Sequence, residues 1–477
     1  MRRPSLRTGV ATLVLAAVAL GVWWVADRPA GQGGVSPQVA TVGSGRAADV
    51  DGDGFEDLAV GMPDAPVQDQ AGAGKVALIH GSRTGLTVSR HQSVSGSVTG
   101  DTVRPGDRFG SALALGDLDG DGHADLVIGA SGRTAGGEKG AGAVTVVFGF
   151  RSGLSRTAIA FHAPAPTPGG RFGGQLALGD FDHDGLDDIA VVDGRQVAVV
   201  RGAKNLRSAG AEDVTVHTPP GGGGGTHRIA TGDVDGDGYD DLVTVAHDDD
   251  PADGGTLGVL PGSRAGLKDT RLGDRVELPF AGYTPVVGDI NGDGKDDVLL
   301  ATGFQDGPDK TVLLTYPGSA DGLDTAGAVA WRGPLHPGDT ARLADLDGDG
   351  HDDLVVGDVH AVNSDVLNDA GAITTVRGSA RWLDPATTRT LSLDTEGVAG
   401  DAESNDRFGS TLAQGDYNGD GTCDLAVGAP GKRHGLGGVG LLYGSASGLT
   451  GTDSIIFGPD SLHDPVIKAS FGAALGG

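Results

Sequence analysis

The stretch Asp49-Val50-Asp51-Gly52-Asp53-Gly54-Phe55-Glu56-Asp57-Leu58-Ala59-Val60 limits what this chain can fold into, because it returns six more times. The copies begin at Asp117, Asp180, Asp233, Asp289, Asp345 and Asp416, at intervals of 53 to 71 residues. Position 3 is Asp51, Asp119, Asp182, Asp235, Asn291, Asp347 or Asn418. Position 5 is Asp53, Asp121, Asp184, Asp237, Asp293, Asp349 or Asp420, and position 6 is always Gly. Position 9 is Asp57, Asp125, Asp188, Asp241, Asp297, Asp353 or Asp424. An apolar run beginning with Leu, Ile or Val follows each copy.

Oxygens at positions 1, 3 and 5 project to one side of a tight loop, and the position 6 Gly permits its sharp turn. The backbone carbonyl of position 7 (Phe55, His123, Leu186, Tyr239, Lys295, His351, Thr422) and the position 9 carboxylate can complete an oxygen cage. Hard oxygens on a flexible multidentate loop suit Ca²⁺, whereas Mg²⁺ wants a strict octahedron and keeps its waters. The pattern predicts up to seven Ca²⁺ sites. It is not an EF-hand, whose twelfth residue is a bidentate Glu. Here position 12 is Val60, Ile128, Val191, Thr244, Leu300, Val356 or Val427, inside a β-rich run.

Each copy sits in one plan. A short strand precedes the loop, clearest over 109–116, and a second strand follows it. After a variable Gly-rich loop comes a third: Val76–His80, Val144–Phe148, Val197–Arg201, Leu257–Leu260, Val312–Tyr316, Ile373–Arg377 and Val439–Tyr443. A less regular fourth segment, such as Ala158–His162 or Ser454–Phe457, closes the unit. Four antiparallel strands in each of seven units predict an all-β, seven-bladed β-propeller with Ca²⁺-binding hairpin loops. The 87 glycines and 4% aromatic content agree with many short strands and turns rather than helices.

The ends carry different signals. Arg2, Arg3 and Arg7 precede an apolar run from Val10 to Ala26, so residues 1–26 read as a signal peptide or signal anchor. Residues 27–38 read as a Pro/Gly-rich linker, and 39–477 as the propeller. These features place the chain outside the cytoplasm, secreted or tethered by an uncleaved N-terminal segment. The first loop lacks a full strand before it, whereas 470–475 is a first strand with no loop after it. The surplus at one end matches the deficit at the other, so 470–475 is expected to complete the blade of Asp49 and seal the ring.

Phe-Gly before a loop (Phe109-Gly110, Phe172-Gly173, Phe408-Gly409, Phe471-Gly472), the acidic loop itself, and Gly428-Ala429-Pro430 after one form a known signature. By these residues, 39–477 resembles the FG-GAP repeats of the integrin α-subunit N-terminal propeller and its bacterial secreted relatives. The resemblance implies Ca²⁺ in the loops and a propeller that binds protein or glycan. Blades four to six depart from it, with Arg228-Ile229, Tyr283-Thr284 and Thr340-Ala341 in place of Phe-Gly.

Net charge is −29, and the ligand positions of the loops supply 26 of the 64 acidic residues. A molecule this acidic excludes nucleic acid and anionic membrane surfaces as partners, apart from a tether through the N-terminal segment. The single cysteine, Cys423, excludes an intrachain disulfide and reads as a neutral filler of the seventh loop. No Gly-x-Ser-x-Gly elbow or His-Glu-x-x-His helix is present. His123 and His351 are expected to face solvent, His247-Asp248-Asp249-Asp250 to be a solvated charge run, and Gly221–Gly225 a connector. The reading is a monomeric, non-enzymatic propeller that binds a protein, glycan or cell-envelope ligand. The alternative is a secreted hydrolase or lyase acting on polysaccharide or phosphoester through loop residues. In an up-and-down blade the calcium loop shares an end with the turn between strands three and four. Recognition is therefore expected at the opposite end, on the variable loops.

Overall fold

The apolar run after each acidic loop is buried on both faces. Leu58–Met62, Asp125–Ala130 and Asp424–Ala429 are buried at every residue. A strand that alternates its side chains yet is apolar throughout must be covered from two sides. The structure, a computed structural model, shows how. It describes residues 48–211, 213–219, 228–247, 254–269, 275–278, 283–302, 313–331, 340–361, 367–463 and 469–477. The expected signal segment 1–26, the expected linker 27–38, Gly221–Gly225 and Asp248–Asp250 lie outside them.

Seven four-stranded antiparallel sheets form the blades of a propeller. The second blade runs Phe109–Gly116, Asp125–Ala130, Ala143–Val147 and Ala158–Phe161 from the axis outward. The third to seventh blades begin with the inner strands Leu176–Gly179, Arg228–Gly232, Tyr283–Gly288, Thr340–Ala344 and Thr411–Gly415. Each inner strand touches the next around the axis. Outer strands such as Thr87–Ser95 have no fully buried residue, which is why their sequence is irregular. Between successive blades lies one apolar cluster, seven among the described residues. Phe181, Val197 and Leu242 join blades three and four, and Val286, Leu299 and Leu354 join five and six.

The ring closes as expected. Ala474–Gly476 takes the inner position of the first blade and pairs antiparallel with Leu58–Met62, with Ala59 opposite Gly476 and Gly61 opposite Ala474. Phe471 and Leu475 share a core with Leu58, Tyr417 and Phe457. Both chain segments thus lie in one blade; the short segment 42–48 before the first loop, the alternative inner strand, lies outside the described residues except for Ala48.

The Phe-Gly pairs staple neighbouring blades. Phe172 and Phe471 stand edge-on to Phe161 and Phe457 of the outer strands in the blades before them, at 6.0 and 5.9 Å. The Gly turns back at positive φ, 78° at Gly173, and lays its carbonyl against the second strand of the preceding blade. A Cβ on Gly129 would lie 1.8 Å from the Gly173 carbonyl oxygen; Gly61, Gly357 and Gly428 face Gly110, Gly409 and Gly472 in the same way. Where the second strand has Val192, Val245 or Ala301 instead, the next blade begins without Phe-Gly. The two departures in blades three to six are one change seen from both sides of an interface.

Gly129→Ala should overpack this contact and cost about 1–3 kcal/mol, read as a lower thermal midpoint; an unchanged midpoint would contradict the staple. Removal of residues 469–477 strips Phe471 and Leu475 from the closing core and should cost on the order of 5 kcal/mol or more. Hydrogen exchange should then speed up in both Leu58–His80 and Gly438–Tyr443, not at the new terminus alone.

Candidate metal centres

Each loop is built by its own first aspartate. Asp49 Oδ1 accepts from the amides of Gly52 (2.7 Å) and Asp53 (3.2 Å), and Oδ2 from Gly54 (2.8 Å). Asp233 repeats this on Gly236, Asp237 and Gly238. The turn needs left-handed backbone at two points, φ 70° at Gly52 and 89° at Gly54, which glycine adopts without strain. The position 9 carboxylate fixes the loop to the blade. Asp57 accepts from Val50 N at 3.1 Å and from Gly81 N, beyond the third strand, at 2.9 Å. Asp125, Asp241 and Asp297 do the same. These bonds put the loops and the turns between strands three and four at one end of the propeller. The other end joins the variable loops to the connections between blades, as in Phe109 N to Ala73 O and Phe172 N to Ala141 O.

The position 3 carboxylates test whether a cation fits. Asp51, Asp119 and Asp347 are 3%, 8% and 7% exposed, and in each Oδ1 is buried with no hydrogen-bond donor. A buried anionic oxygen without a partner is costly unless an ion meets it. Ligand atoms of Asp49, Asp51 and Asp53 lie within 4.8 Å of one another, as do those of Asp117, Asp119 and Asp125, of Asp180, Asp182 and Asp184, and of Asp233, Asp235 and Asp241. Such an all-oxygen set fits a hard divalent cation. Positions 1, 3, 5 and 9 would hold it with the position 7 carbonyl. The cation would supply positive charge that lets the carboxylates share one loop.

The loops also interlock. In five copies position 8 is acidic, and it accepts from the amide of position 1 in the preceding blade's loop. Glu56 reaches Asp416 N (2.8 Å), Asp187 Asp117 N (3.0 Å), Asp240 Asp180 N (2.9 Å) and Asp296 Asp233 N (2.9 Å); Asp352 likewise bonds the Asp289 backbone. Backbone bonds run beside them, such as Ala124 N to Asp49 O at 2.9 Å and Asp352 N to Asp289 O at 2.9 Å. The position 7 side chain then lies on position 4 of that same preceding loop. His123 covers Gly52, Leu186 Gly120, Lys295 Gly236, His351 Gly292, Thr422 Gly348 and Phe55 Gly419, while Tyr239 meets the His183 ring. His123 and His351 are therefore half-buried rather than solvent-facing, because the missing Cβ of the neighbouring Gly leaves a seat for the imidazole. Cys423 takes the position 8 place in the seventh loop, and burial pushes its thiol well up, away from any nucleophilic role at neutral pH.

Among the described residues, four loops receive an arginine from the protein. Arg90 pairs with Asp51 and Asp53, and His80 lies 3.3 Å from Asp51. Arg207, stacked on Phe148 at 4.7 Å, pairs with Asp119 and Asp121. Arg201 pairs with Asp182 and Asp184, and Arg377 with Asp347 at 2.8 Å.

The FG-GAP repeat family matches residues 42–79, 109–147 and 408–443, and the FG-GAP-like repeat family matches 161–244. The chain thus carries FG-GAP repeats. It is 34% identical to phosphatidylinositol-glycan-specific phospholipase D of Rattus norvegicus over 152 residues, 28% of this chain and 18% of that one. It is 37% identical to integrin alpha-IIb of Homo sapiens over 162 residues, 32% of this chain and 15% of that one. The chain thus spans less than a fifth of the length of either relative. The structure of an Agrocybe aegerita lectin, described for specific recognition of non-reducing terminal N-acetylglucosamine, aligns over 88% of this chain and 94% of that one. Its TM-score is 0.49 and its identity 14%. No helix among the described residues is long and apolar enough to cross a membrane.

Within these FG-GAP repeats the sequence pattern located positions 1, 3, 5, 7 and 9 but assigned no role to position 8. Its signal was present, since Glu56, Asp187, Asp240, Asp296 and Asp352 are all acidic. The four loop arginines carried no motif.

Burial raises the position 9 carboxyls to about 8 at Asp125, Asp188 and Asp241, and to about 7 at Asp297, Asp353 and Asp424. A carboxyl raised in the folded chain binds protons that the unfolded chain releases above about 4. Its favourable contribution is complete below that pH and is lost as pH rises through 7–8. In chelator the thermal midpoint should accordingly fall between about pH 5.5 and 8. A midpoint that climbed over this window would contradict the burial of these groups.

Proposed function

We propose that this chain is a calcium-dependent binding propeller acting outside the cytoplasm, without catalytic activity, whose ligand is a protein, a glycan or a cell-envelope component. The observation that carries the calcium reading is the buried, donorless oxygen of Asp51, Asp119 and Asp347, each set among further carboxylates. Ca²⁺ suits such flexible, acidic oxygen sites better than Mg²⁺ does. The basic and apolar pattern of residues 1–26 supports export.

The interlocking of the loops supports ligand recognition at the opposite end. At the loop end, side chains are committed to building turns and joining blades. At the other end, variable loops on the rigid ring carry charged groups across blade boundaries. Arg108 pairs with Asp64 at 2.7 Å, Arg133 pairs with Asp101, and Arg433 pairs with Asp460 at 3.1 Å. Variable loops on a rigid frame are the usual place for recognition.

The test uses the purified chain. Chelation should lower its thermal midpoint, and Ca²⁺ should restore it better than Mg²⁺; a midpoint indifferent to both would overturn the calcium reading. Envelope and matrix fractions and immobilised glycans should then be screened with Ca²⁺ present. Binding should weaken severalfold in Arg108→Ala or Arg133→Ala and persist in Asp121→Asn. Turnover of a polysaccharide or phosphoester by the calcium-loaded chain would replace this reading with the enzymatic one.

A further inference from the structure

Position 3 and the internal cations vary together. The first, second, third and sixth loops have Asp at position 3, and each receives an arginine on it: Arg90 on Asp51, Arg207 on Asp119, Arg201 on Asp182 and Arg377 on Asp347. The fifth and seventh loops have Asn291 and Asn418 there, and no arginine pairs with them among the described residues. The cations arrive by different routes. Arg201 and Arg377 stand just before the Gly that ends the third strand, at Gly202 and Gly378. In the second blade that place is Phe148, and Arg207 comes from the next blade, lies on the Phe148 ring and reaches the equivalent carboxylates. Arg90 comes from the outer strand Thr87–Ser95. Unrelated segments thus deliver the same charge to the same position. In each case one charge is withdrawn where the loop carries a fourth carboxylate.

The fourth loop breaks this rule. It has Asp233, Asp235, Asp237 and Asp241, and among the described residues no basic side chain forms an ion pair with any of them. In the fourth blade the residue before the equivalent Gly262 is Pro261, which carries no charge. The fifth loop lies at the other extreme, with three aspartates and Lys295 at 3.8 Å from Asp293.

We infer that the seven loops are not equivalent: the fourth is the highest-affinity divalent-cation site, filled first, and the arginine-paired loops are attenuated sites. This rests on the calcium reading above and deepens it. Affinity in oxygen-ligand loops follows the number of ligand charges and the rigidity of the site. A guanidinium on the position 3 carboxylate removes one of those charges and repels the incoming cation. It also holds the carboxylate in place, so a paired loop keeps its shape while empty. The fourth loop has no such support, and its four carboxylates repel one another until a cation arrives.

The experiment is a Ca²⁺ titration of the full chain against a chromophoric chelator, with isothermal calorimetry for stoichiometry. One site should fill first, with affinity roughly tenfold or more above the rest. Asp235→Asn, close in shape, should abolish that first step and leave the weaker class. Arg207→Gln should create a second tight site, since it strips the guanidinium from Asp119 and Asp121. If loss of the Phe148 contact unfolds that variant, Arg377→Gln makes the same test in the sixth loop. Equal filling of all sites in the unaltered chain, or a tight class that neither the Asp235 nor the arginine variants change, overturns the inference while the calcium reading stands. Absence of Ca²⁺ binding altogether overturns both.

Discussion

A four-stranded blade of this chain cannot exist alone, because both of its faces are apolar. Leu58 and Val60 face the seventh blade, while Ala59 between them faces the second. Everything else depends on that constraint. Seven blades need seven interfaces, seven interfaces need a closed ring, and the ring needs a way to join its ends. Ala474–Gly476 supplies the join, and Phe471 carries the same staple there that Phe172 and Phe408 carry elsewhere. Polar loops at the rim then have fixed neighbours, which is what lets Glu56 or Asp296 bond the preceding loop's backbone rather than water.

Most of the architecture was legible in the sequence because repetition multiplies weak signals. A single acidic turn says little, but seven with one spacing identify the inner hairpin of seven blades. The third strands follow from period and turn residues, and Leu313–Tyr316 or Gly438–Tyr443 fall within a residue of expectation. The closure was legible as a missing strand at one end and a spare one at the other. What escaped were contacts between repeats. Position 8 looks idle within its own loop, since its partner is the first residue of the preceding one. Arg207 lies 88 residues from Asp119, with no periodicity to link them. His123 and His351 looked exposed because the Gly that seats each belongs to another blade.

The blades lacking Phe-Gly make the same point through sterics. Gly in the second strand and Phe-Gly in the next blade are two halves of one close approach, so they are kept or lost together. Val192, Val245 and Ala301 fill with side chain the space that a neighbour's backbone occupies at Gly61, Gly129, Gly357 and Gly428. The irregular middle of the sequence is therefore a second solution to the same packing problem.

The pairing of Val60 with Leu475 also sets an order of events. Most strand pairs here are local hairpins that can form as soon as their two halves exist. This pair spans nearly the whole propeller, and bringing such distant segments together costs about 5 kcal/mol of chain entropy before any contact repays it. Until then Leu58–Met62 presents an unpaired edge, the kind of surface on which other chains add strands. Contacts of such sequence separation are the slow ones. Folding should thus end at the seam, and the interval before it is when this protein is most open to misassembly.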